Sequence, residues 1–478
     1  MKTTTTELLS LMSKIEELTK EFNYSFDYNA YEDSLVKTMY DFLSPIIQNS
    51  IEILMHEPTF LSALQIVGGK KCLKLEGFRL VEVSVLNGRN MLISSPYFYN
   101  RSKKNKVKKK QKRSKGNNLD CHLGLSQIGM VSRFSGNLAS EICKMAILCP
   151  STDLATRLLL ERGIKINEKT LSKIVRDVGQ IGLEKRGSIS IGSNEKIDGA
   201  TLVIGTDGGR LRERRNKKGR RKKDQKIKSY HTYWKEPVLI TMYLTNSEGK
   251  IIKDFPPIHD GTMQDKDYVF SLIKSYLQSL DCKKLSRIAF VGDGAPWIWN
   301  RAEQLLGECF GELTIYQILD YTHGKQALNE ILSFLPKKCQ KREKLFGLFK
   351  QRLWEGDIEC IGEMIKINFT GQGKKKALRK WKNYFLKNKD RMQYSHFKTL
   401  GLPQGSGSVE SAIRRVINLR LKSCGSFWKK ENAEIYLFLR SQLISGRWNV
   451  FFENLINRLD DKEYETNIKS NSYLKWAA

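Results

Sequence analysis

The sequence predicts an α/β protein. It should have a mixed-sheet core interrupted by an all-helical insertion, preceded by a mainly helical N-terminal region with one small β unit. Two observations lead there. In the middle of the chain, apolar runs of strand length end at Asp207, Asp293 and Asp320, with segments of helical period among them. Beyond Asp320, residues 324–398 carry no clear strand pattern and are rich in lysine and aromatics, among them Trp354, Trp381, Tyr384 and Phe385. With 478 residues, 40% of them hydrophobic, the chain is long enough for several folded domains.

From the N-terminus, Leu8, Leu9, Met12, Ile15 and Leu18 recur at three- and four-residue steps, so residues 1–66 read as helical. Cys72 to Pro96 alternates apolar and polar residues, punctuated by Gly77 and Gly88, and reads as a small β unit. In Lys103 to Lys115, nine of thirteen residues are Lys or Arg. Such a run is a solvated loop or a phosphate-gripping arm, and the two are compatible because basic arms often order only on nucleic acid. Three short helices follow. One runs from Asn137 to Leu148. The next is capped by Ser151 and ended by Gly163, and the third is capped by Asn167 with Leu171, Ile174 and Val175 on one face. Helix, Gly-containing turn, helix is the grammar of a helix-turn-helix, and Lys169, Lys173 and Arg176 would lie on its DNA-reading helix. A plain helical hairpin is the alternative.

In the core, Thr201–Thr206, Pro237–Thr245 and Lys250–Phe255 read as three strands, followed by a helix over Asp267–Leu280. Ser286–Val291 is a strand, Trp297–Leu306 a helix and Leu313–Leu319 a strand. Three strands, helix, strand, helix, strand is the order of the ribonuclease H-like fold. A helical tail begins at Ser408. The resulting division is 1–120, 121–195 (the helix-turn-helix-like region), 196–323 (first part of the core), 324–400 (insertion) and 401–478 (end of the core and tail).

The charge narrows the partners. Lys plus Arg number 82 against 51 acidic residues, a formal net charge of +31, which makes a polyanion the first candidate and nucleic acid its commonest form. An anionic membrane surface is the other polyanion the charge allows, but no apolar run approaches the ~18 residues of a spanning helix, and the start leads into a polar amphipathic stretch rather than a signal peptide. DNA rather than a membrane is therefore the expected partner, and the site is expected to be cytosolic, or nuclear if the host has a nucleus. The nine cysteines include no C-x-x-C pair and read as reduced thiols.

Phosphodiester chemistry needs a nucleophile made from water or a 3′-hydroxyl and a stabilised leaving oxygen. Two Mg²⁺ (or Mn²⁺) ions about 4 Å apart supply both, and they want hard oxygen ligands. Asp207 follows Leu202-Val203-Ile204-Gly205-Thr206 and precedes Gly208-Gly209; Asp293 follows Ile288-Ala289-Phe290-Val291-Gly292 and precedes Gly294. Ends of strands on one edge of an α/β sheet are where ligands bind. Glu410 lies in Gly405-Ser406-Gly407-Ser408-Val409-Glu410, where Ser408 would cap a helix and put Glu410 in its first turn, with Arg414 one turn on and Arg415 beside it. Arg210 to Lys228 holds twelve basic residues among nineteen, including Arg210, Arg212, Arg214 and Arg215. Its place beside Asp207 favours DNA-backbone contact over a merely solvated hairpin tip. Of Trp297 and Trp299, at least one is expected in the core.

These stretches resemble the ISKra group of bacterial insertion-sequence transposases, within the DDE superfamily. The likeness rests on Thr206-Asp207-Gly208-Gly209-Arg210, on Gly292-Asp293-Gly294-Ala295-Pro296-Trp297-Ile298-Trp299-Asn300 and on Leu319-Asp320-Tyr321-Thr322-His323. The last stretch runs from Gly405-Ser406-Gly407-Ser408-Val409-Glu410-Ser411 to Gly446-Arg447-Trp448, so that the whole spans residues 120–450. The resemblance implies a ribonuclease H-like core, a metal-binding triad of Asp207, Asp293 and Glu410, and a D-x-x-H signature at Asp320 and His323. It also implies element ends and target DNA as substrates, a homo-oligomer assembled on DNA, and a bacterial cytosol. Relatives carry a C-x-x-C pair before the helix-turn-helix. Here only Cys121-His122 remains after the basic run, and zinc is not predicted. Three functions fit these features: an active transposase, a nuclease of the same fold without strand transfer, and a non-catalytic DNA-binding regulator.

Overall fold

A computed structural model describes residues 2–70, 72–85, 88–100, 122–187, 195–219, 229–280, 282–309, 313–336 and 341–456. The Lys103–Lys115 run, Cys121 and residues 220–228 of the central basic stretch lie outside them. The chain forms two compact units, Met1–Val178 with Phe452–Ala478, and Gly179–Phe451.

In the first unit, helices Lys2–Ser25, Tyr28–His56 and Pro58–Lys70 precede an antiparallel hairpin of β1 (Leu73–Ser84) and β2 (Asn90–Asn100). A register shift between Leu75 and Gly77 bends β1. Met55, Phe60, Leu64, Val83, Ile93, Phe98 and Leu125 form a shared core. After a short helix, Leu123–Gln127, come helices Gly136–Leu148, Thr152–Glu161 and Glu168–Glu184, of which the last belongs to this unit only as far as Val178. Ser135 and Ser151 cap the first two through their hydroxyls, and Asn167 Oδ1 accepts the Thr170 N–H at 2.9 Å at the start of the third. Gly163 supplies the positive φ, 78°, that ends the second. Leu171, Ile174, Val175 and Val178 of the third helix are buried, whereas Lys169, Lys173 and Arg176 share its exposed face.

The second unit is built on a five-stranded mixed sheet. Its strands are β3 (Thr201–Gly208), β6 (Val238–Thr245), β7 (Ile258–Thr262), β8 (Arg287–Gly292) and β9 (Thr314–Leu319), in the order β7-β6-β3-β8-β9. β6 is antiparallel to both β3 and β7, while β8 runs parallel to β3 and β9 to β8. Between β3 and β6 the chain forms a separate antiparallel hairpin, β4 (Leu211–Asn216) and β5 (Tyr230–Lys235). Helices Lys266–Ser279 and Pro296–Cys309 connect into and out of β8.

Two elements differ from the sequence reading. The third sheet strand is Ile258–Thr262, not Lys250–Phe255. Asn246 Oδ1 accepts the N–H groups of Glu248 and Lys250 to close a turn, and Ile251 makes only an isolated bridge and is exposed. The true strand, Ile-His-Asp-Gly-Thr, is polar in sequence yet wholly buried. Its polarity is absorbed by an ionic cluster. Arg186 donates to Asp260 Oδ1 and Oδ2, both at 2.7 Å, and pairs with Glu434, which also accepts from Thr262 Oγ1 and the Met263 N–H. Tyr276 donates its hydroxyl to Asp260 at 2.8 Å. The second difference is the pair of strands β4 and β5, where the sequence reading had a basic connection with a solvated hairpin tip as the alternative and assigned no strands.

After β9 come the insertion helices Tyr321–Leu332, Arg342–Glu355, Ile358–Asn368 and Gly371–Lys380, and then a π-helical turn, Trp381–Phe385. Trp381 Nε1 donates to the Ile358 carbonyl at 2.8 Å, and Phe349, Leu353, Ile361, Ile365 and Phe385 join the same core as the sheet. Helix Lys430–Ile444, buried from Ala433 to Ser441, packs on β7. No described helix is long and apolar enough to cross a membrane.

Candidate active site at the strand ends

Register alone brings three aspartates to one edge. The last paired residues of β3 and β8 are Gly205 and Val291, so Asp207 and Asp293 each lie two residues further along neighbouring parallel strands. Gly292 pairs with Leu319 of β9, which puts Asp320 beside Asp293, and the Asp320 N–H donates to the Gly292 carbonyl at 2.9 Å. Asp207 Oδ1 accepts the Gly208 N–H and Asp293 Oδ1 the Ala295 N–H, both at 2.7 Å. These bonds hold each carboxylate against its own turn.

Glu410 arrives on helix Gly407–Ile413, in its first turn. Two glycines, one within β3 and one just past its end, seat that helix and the turn that continues it. A Cβ on Gly205 would run into Val409 Cγ2, and one on Gly209 would lie 2.5 Å from Ile417 Cδ1. Asp207 sits midway between these two seats. Helix Gly407–Ile413 continues into a π-helical turn, Arg414–Asn418, whose carbonyls at Arg415 and Val416 accept from the buried Arg440 guanidinium. Burial and the charge of Arg420 pull the Arg440 pKa down to about 10.

The cap of the Glu410 helix is not the expected one. Ser406, rather than Ser408, is at the N-cap, and Ser408 hydrogen-bonds the Tyr243 phenol instead. The polar groups of Ser406 are turned toward β9, where both its N–H and its hydroxyl donate to Asp320 Oδ2. Asp320 Oδ1 in turn accepts from the Thr322 and His323 N–H groups and caps helix Tyr321–Leu332. Asp320 is buried and ties the end of β9 to the loop that launches Glu410. Burial works to raise its pKa, but the Ser406 bonds and the two backbone N–H groups outweigh it and hold the carboxyl below its ordinary range.

The electrostatics single out Asp207. Its pKa is raised, chiefly by burial; the Gly208 N–H and the His323 charge oppose the rise, and Asp293 and Glu410 add to it. Asp207, Asp293, Glu410 and His323 thus share one electrostatic neighbourhood. Among the described residues, however, no three His, Cys, Asp or Glu side chains are clustered so that they could hold a metal ion as they stand. Asp207 and Asp293 are partly buried and Glu410 is exposed.

Sequence reasoning missed one neighbour. Tyr384, from the π-helical turn of the insertion, lies over Gly294, where an added Cβ would fall 2.8 Å from its hydroxyl. Burial, with Asp293 and Asp320 next, pushes its pKa up. No spacing or motif signals this contact, because it spans the insertion. Trp299 is buried, as expected of at least one of the pair, while Trp297 lies under the Lys266 ammonium at 4.4 Å. Of the basic residues, Arg210 is exposed and pairs with Glu236 at 3.3 Å, Arg215 pairs with Glu213 at 2.7 Å, Arg212 and Arg214 are half-buried on β4, and Arg414 and Arg415 are exposed. Lys169, Lys173 and Arg176 lie in the first unit.

No family model matches the chain. Among curated proteins, it is similar to a UPF0236 protein of Caldanaerobacter subterraneus subsp. tengcongensis, with 29% identity over 161 residues, 33% of this chain and 31% of that one. The match thus spans about a third of that relative's length. Among solved structures, the Drosophila P element transposase strand transfer complex aligns with 72% of this chain and 87% of its own, at 13% identity and a TM-score of 0.24. A score that low carries no inference about fold or function.

Proposed function

We propose that the protein is a DNA transposase of the DDE type, with a ribonuclease H-like core and Asp207, Asp293 and Glu410 as its metal-binding carboxylates. The observation that carries the reading is the juxtaposition of Asp207 and Asp293 at adjacent parallel strand ends, with Glu410 on a helix seated against Gly205 beside them. The sheet order and strand senses, three antiparallel strands extended by two parallel ones, are those expected of that core. The ISKra resemblance stays part of this proposal and rests on the sequence stretches alone.

The donor set is all hard oxygen, which fits Mg²⁺ or Mn²⁺. When bound, a pair of such ions would activate the attacking oxygen and stabilise the leaving one. The protein's own groups do the positioning. Asp320 and Ser406 hold the Glu410 loop to β9, Gly205 lets the helix approach β3, and His323 partly offsets the negative charge around Asp207. In the first step, water oxygen bonds to phosphorus and the P–O3′ bond breaks, leaving a 3′-hydroxyl and a 5′-phosphate. In the second, that hydroxyl bonds to a target phosphorus and displaces the target's own 3′-oxygen, so no phosphoryl group passes through the protein. Lys169, Lys173 and Arg176 are assigned to recognition of the element's ends, and Arg210, Arg212, Arg214, Arg215, Arg414 and Arg415 to DNA near the site. A homo-oligomer on DNA belongs to the same reading.

A second reading, DNA binding without chemistry, has one observation in its favour: the carboxylates form a neighbourhood rather than a closed ligand set. The two separate cleanly. Asp207→Asn, Asp293→Asn and Glu410→Gln should each abolish Mg²⁺-dependent nicking and strand transfer on the element's ends while leaving DNA affinity within about threefold, since each keeps shape and removes a ligand charge. Near-wild-type cleavage by any variant removes that residue from the set. A wild-type protein that binds but never cleaves selects the second reading, and cleavage without joining selects a nuclease.

A further inference from the structure

The β4–β5 hairpin is an excursion that the sheet does not require. It leaves β3 just after Asp207-Gly208-Gly209 and pairs with no strand of the five-stranded sheet. One edge is fixed. The Arg214 N–H donates to the Trp428 carbonyl at 2.8 Å, and the Trp428 N–H donates to the Arg212 carbonyl at 2.9 Å. Trp428 is itself buried, its Nε1 donating to the Leu421 carbonyl at 3.0 Å. β5 is different: from His231 to Lys235 every residue is exposed.

What β5 exposes is aromatic. Trp234 is 61% and Tyr233 47% exposed, on opposite faces because successive strand residues alternate. Each has a guanidinium over its ring: Arg212 lies 5.7 Å from the Trp234 centroid and 4.7 Å from that of Phe427, and Arg215, oriented by its bonds to Glu213, lies 5.3 Å from that of Tyr233. An exposed aromatic plane flanked by a cation is suited to stacking against another flat ring. Here the covering group must also suit the guanidinium beside each ring. A protein partner's apolar patch would leave those guanidinium charges desolvated. A nucleic acid strand answers both demands, because its bases stack on aromatic faces and its phosphates meet the arginines. In duplex DNA the base faces are already stacked, so the match is to unpaired bases.

We propose that the β4–β5 hairpin is a platform for single-stranded DNA, with Trp234 and Tyr233 each offering one face to an unpaired base and Arg212 and Arg215 taking neighbouring phosphates. This rests on the nucleic-acid reading of the adjacent site and adds to it a substrate form: DNA that is unpaired close to the reacting phosphate.

The test uses the full chain, a mixed-sequence single strand of about 20 nucleotides and the duplex of the same sequence, each carrying one 2-aminopurine as a stacking reporter. Tyr233→Ala with Trp234→Ala should weaken single-strand binding by roughly tenfold or more and abolish the quenching of 2-aminopurine, with duplex affinity changed by less than about threefold. Trp234→Phe alone should retain the quenching. Both positions are largely exposed, so the substitutions spare the core. Equal losses on both DNAs, no loss on the single strand, or failure of Trp234→Phe to keep the quenching overturns the platform and leaves the nucleic-acid reading standing. A wild-type protein that binds neither DNA overturns both.

Discussion

An ionised carboxylate at Asp207 is held at a cost. Burial raises its pKa, Asp293 and Glu410 push the same way, and the Gly208 N–H and His323 only partly compensate. A folded-state pKa above the unfolded one means that the native protein holds the proton more tightly, so stability falls as pH rises through the carboxylate range. At neutral pH the charge is a net loss to the fold. Asp207→Asn should therefore raise the thermal midpoint at pH 7 by roughly 1–3 °C, and the gain should vanish at a pH below the unfolded carboxyl value, where both forms are neutral. Thermal melts across pH check this. A lower midpoint at pH 7 would mean that Asp207 is a structural carboxylate. Residues retained against stability are expected at functional sites.

Among the elements, Asp320 has the opposite effect. Its oxygens accept four hydrogen bonds, two from Ser406 and two from the first turn of helix Tyr321–Leu332, and so join β9, that helix and the Glu410 loop. An asparagine can keep only one side, because its amide would face N–H donors on the other. Asp320→Asn should cost about 1.5–3 kcal/mol at neutral pH. Since the folded pKa is depressed, the carboxylate's contribution is complete above the unfolded value and is lost as pH falls through the folded one. The deficit of the variant should accordingly shrink in acid. Metal-dependent cleavage should fall with it, since Glu410 hangs from the same loop. Equal stability of the two proteins at pH 7 would dissolve the clasp.

Across the whole second unit, buried polar groups decide how the fold responds to pH. His259 of β7 is buried with neither ring nitrogen hydrogen-bonded, and burial, then Arg415 and Arg447, depress its pKa to about 4. The unfolded chain takes up this proton near pH 6.5 and the native one only near pH 4. Stability should then fall by about 1.4 kcal/mol per pH unit between those values. His259→Leu should flatten that part of the stability–pH curve, measured as the difference between variant and wild-type denaturation at pH 7, 6, 5 and 4. A slope unchanged by the substitution would place the acid sensitivity elsewhere. The Arg186 guanidinium beside it keeps its charge throughout that range: burial works against the charge, but the paired Asp260 and Glu434 carboxylates outweigh it and push the arginine pKa up.

Much of this was legible in one dimension. The strands ending at Asp207, Asp293 and Asp320, the capped helices after Ser151 and Asn167 and the helical insertion follow from local physics: apolar runs, periodicity and caps act over a few residues and leave their mark in the sequence. So did the coincidence of acidic residues with strand ends. The missed features are all products of burial at a distance. Ile258–Thr262 reads as polar, yet it can be buried because its Asp and Thr are paired by Arg186, Tyr276 and Glu434. Ser406 reads as an ordinary loop residue until Asp320 closes on it, and Tyr384 as an insertion aromatic until it meets Gly294. Chain order was enough to say which residues could carry charge and at which strand ends they stood. It was not enough to say which carboxylate became the clasp, which stayed strained in the open site, and which aromatics were left facing water. Those outcomes were set by folding, because desolvation and hydrogen-bond pairing depend on neighbours that lie close in space and far apart along the chain.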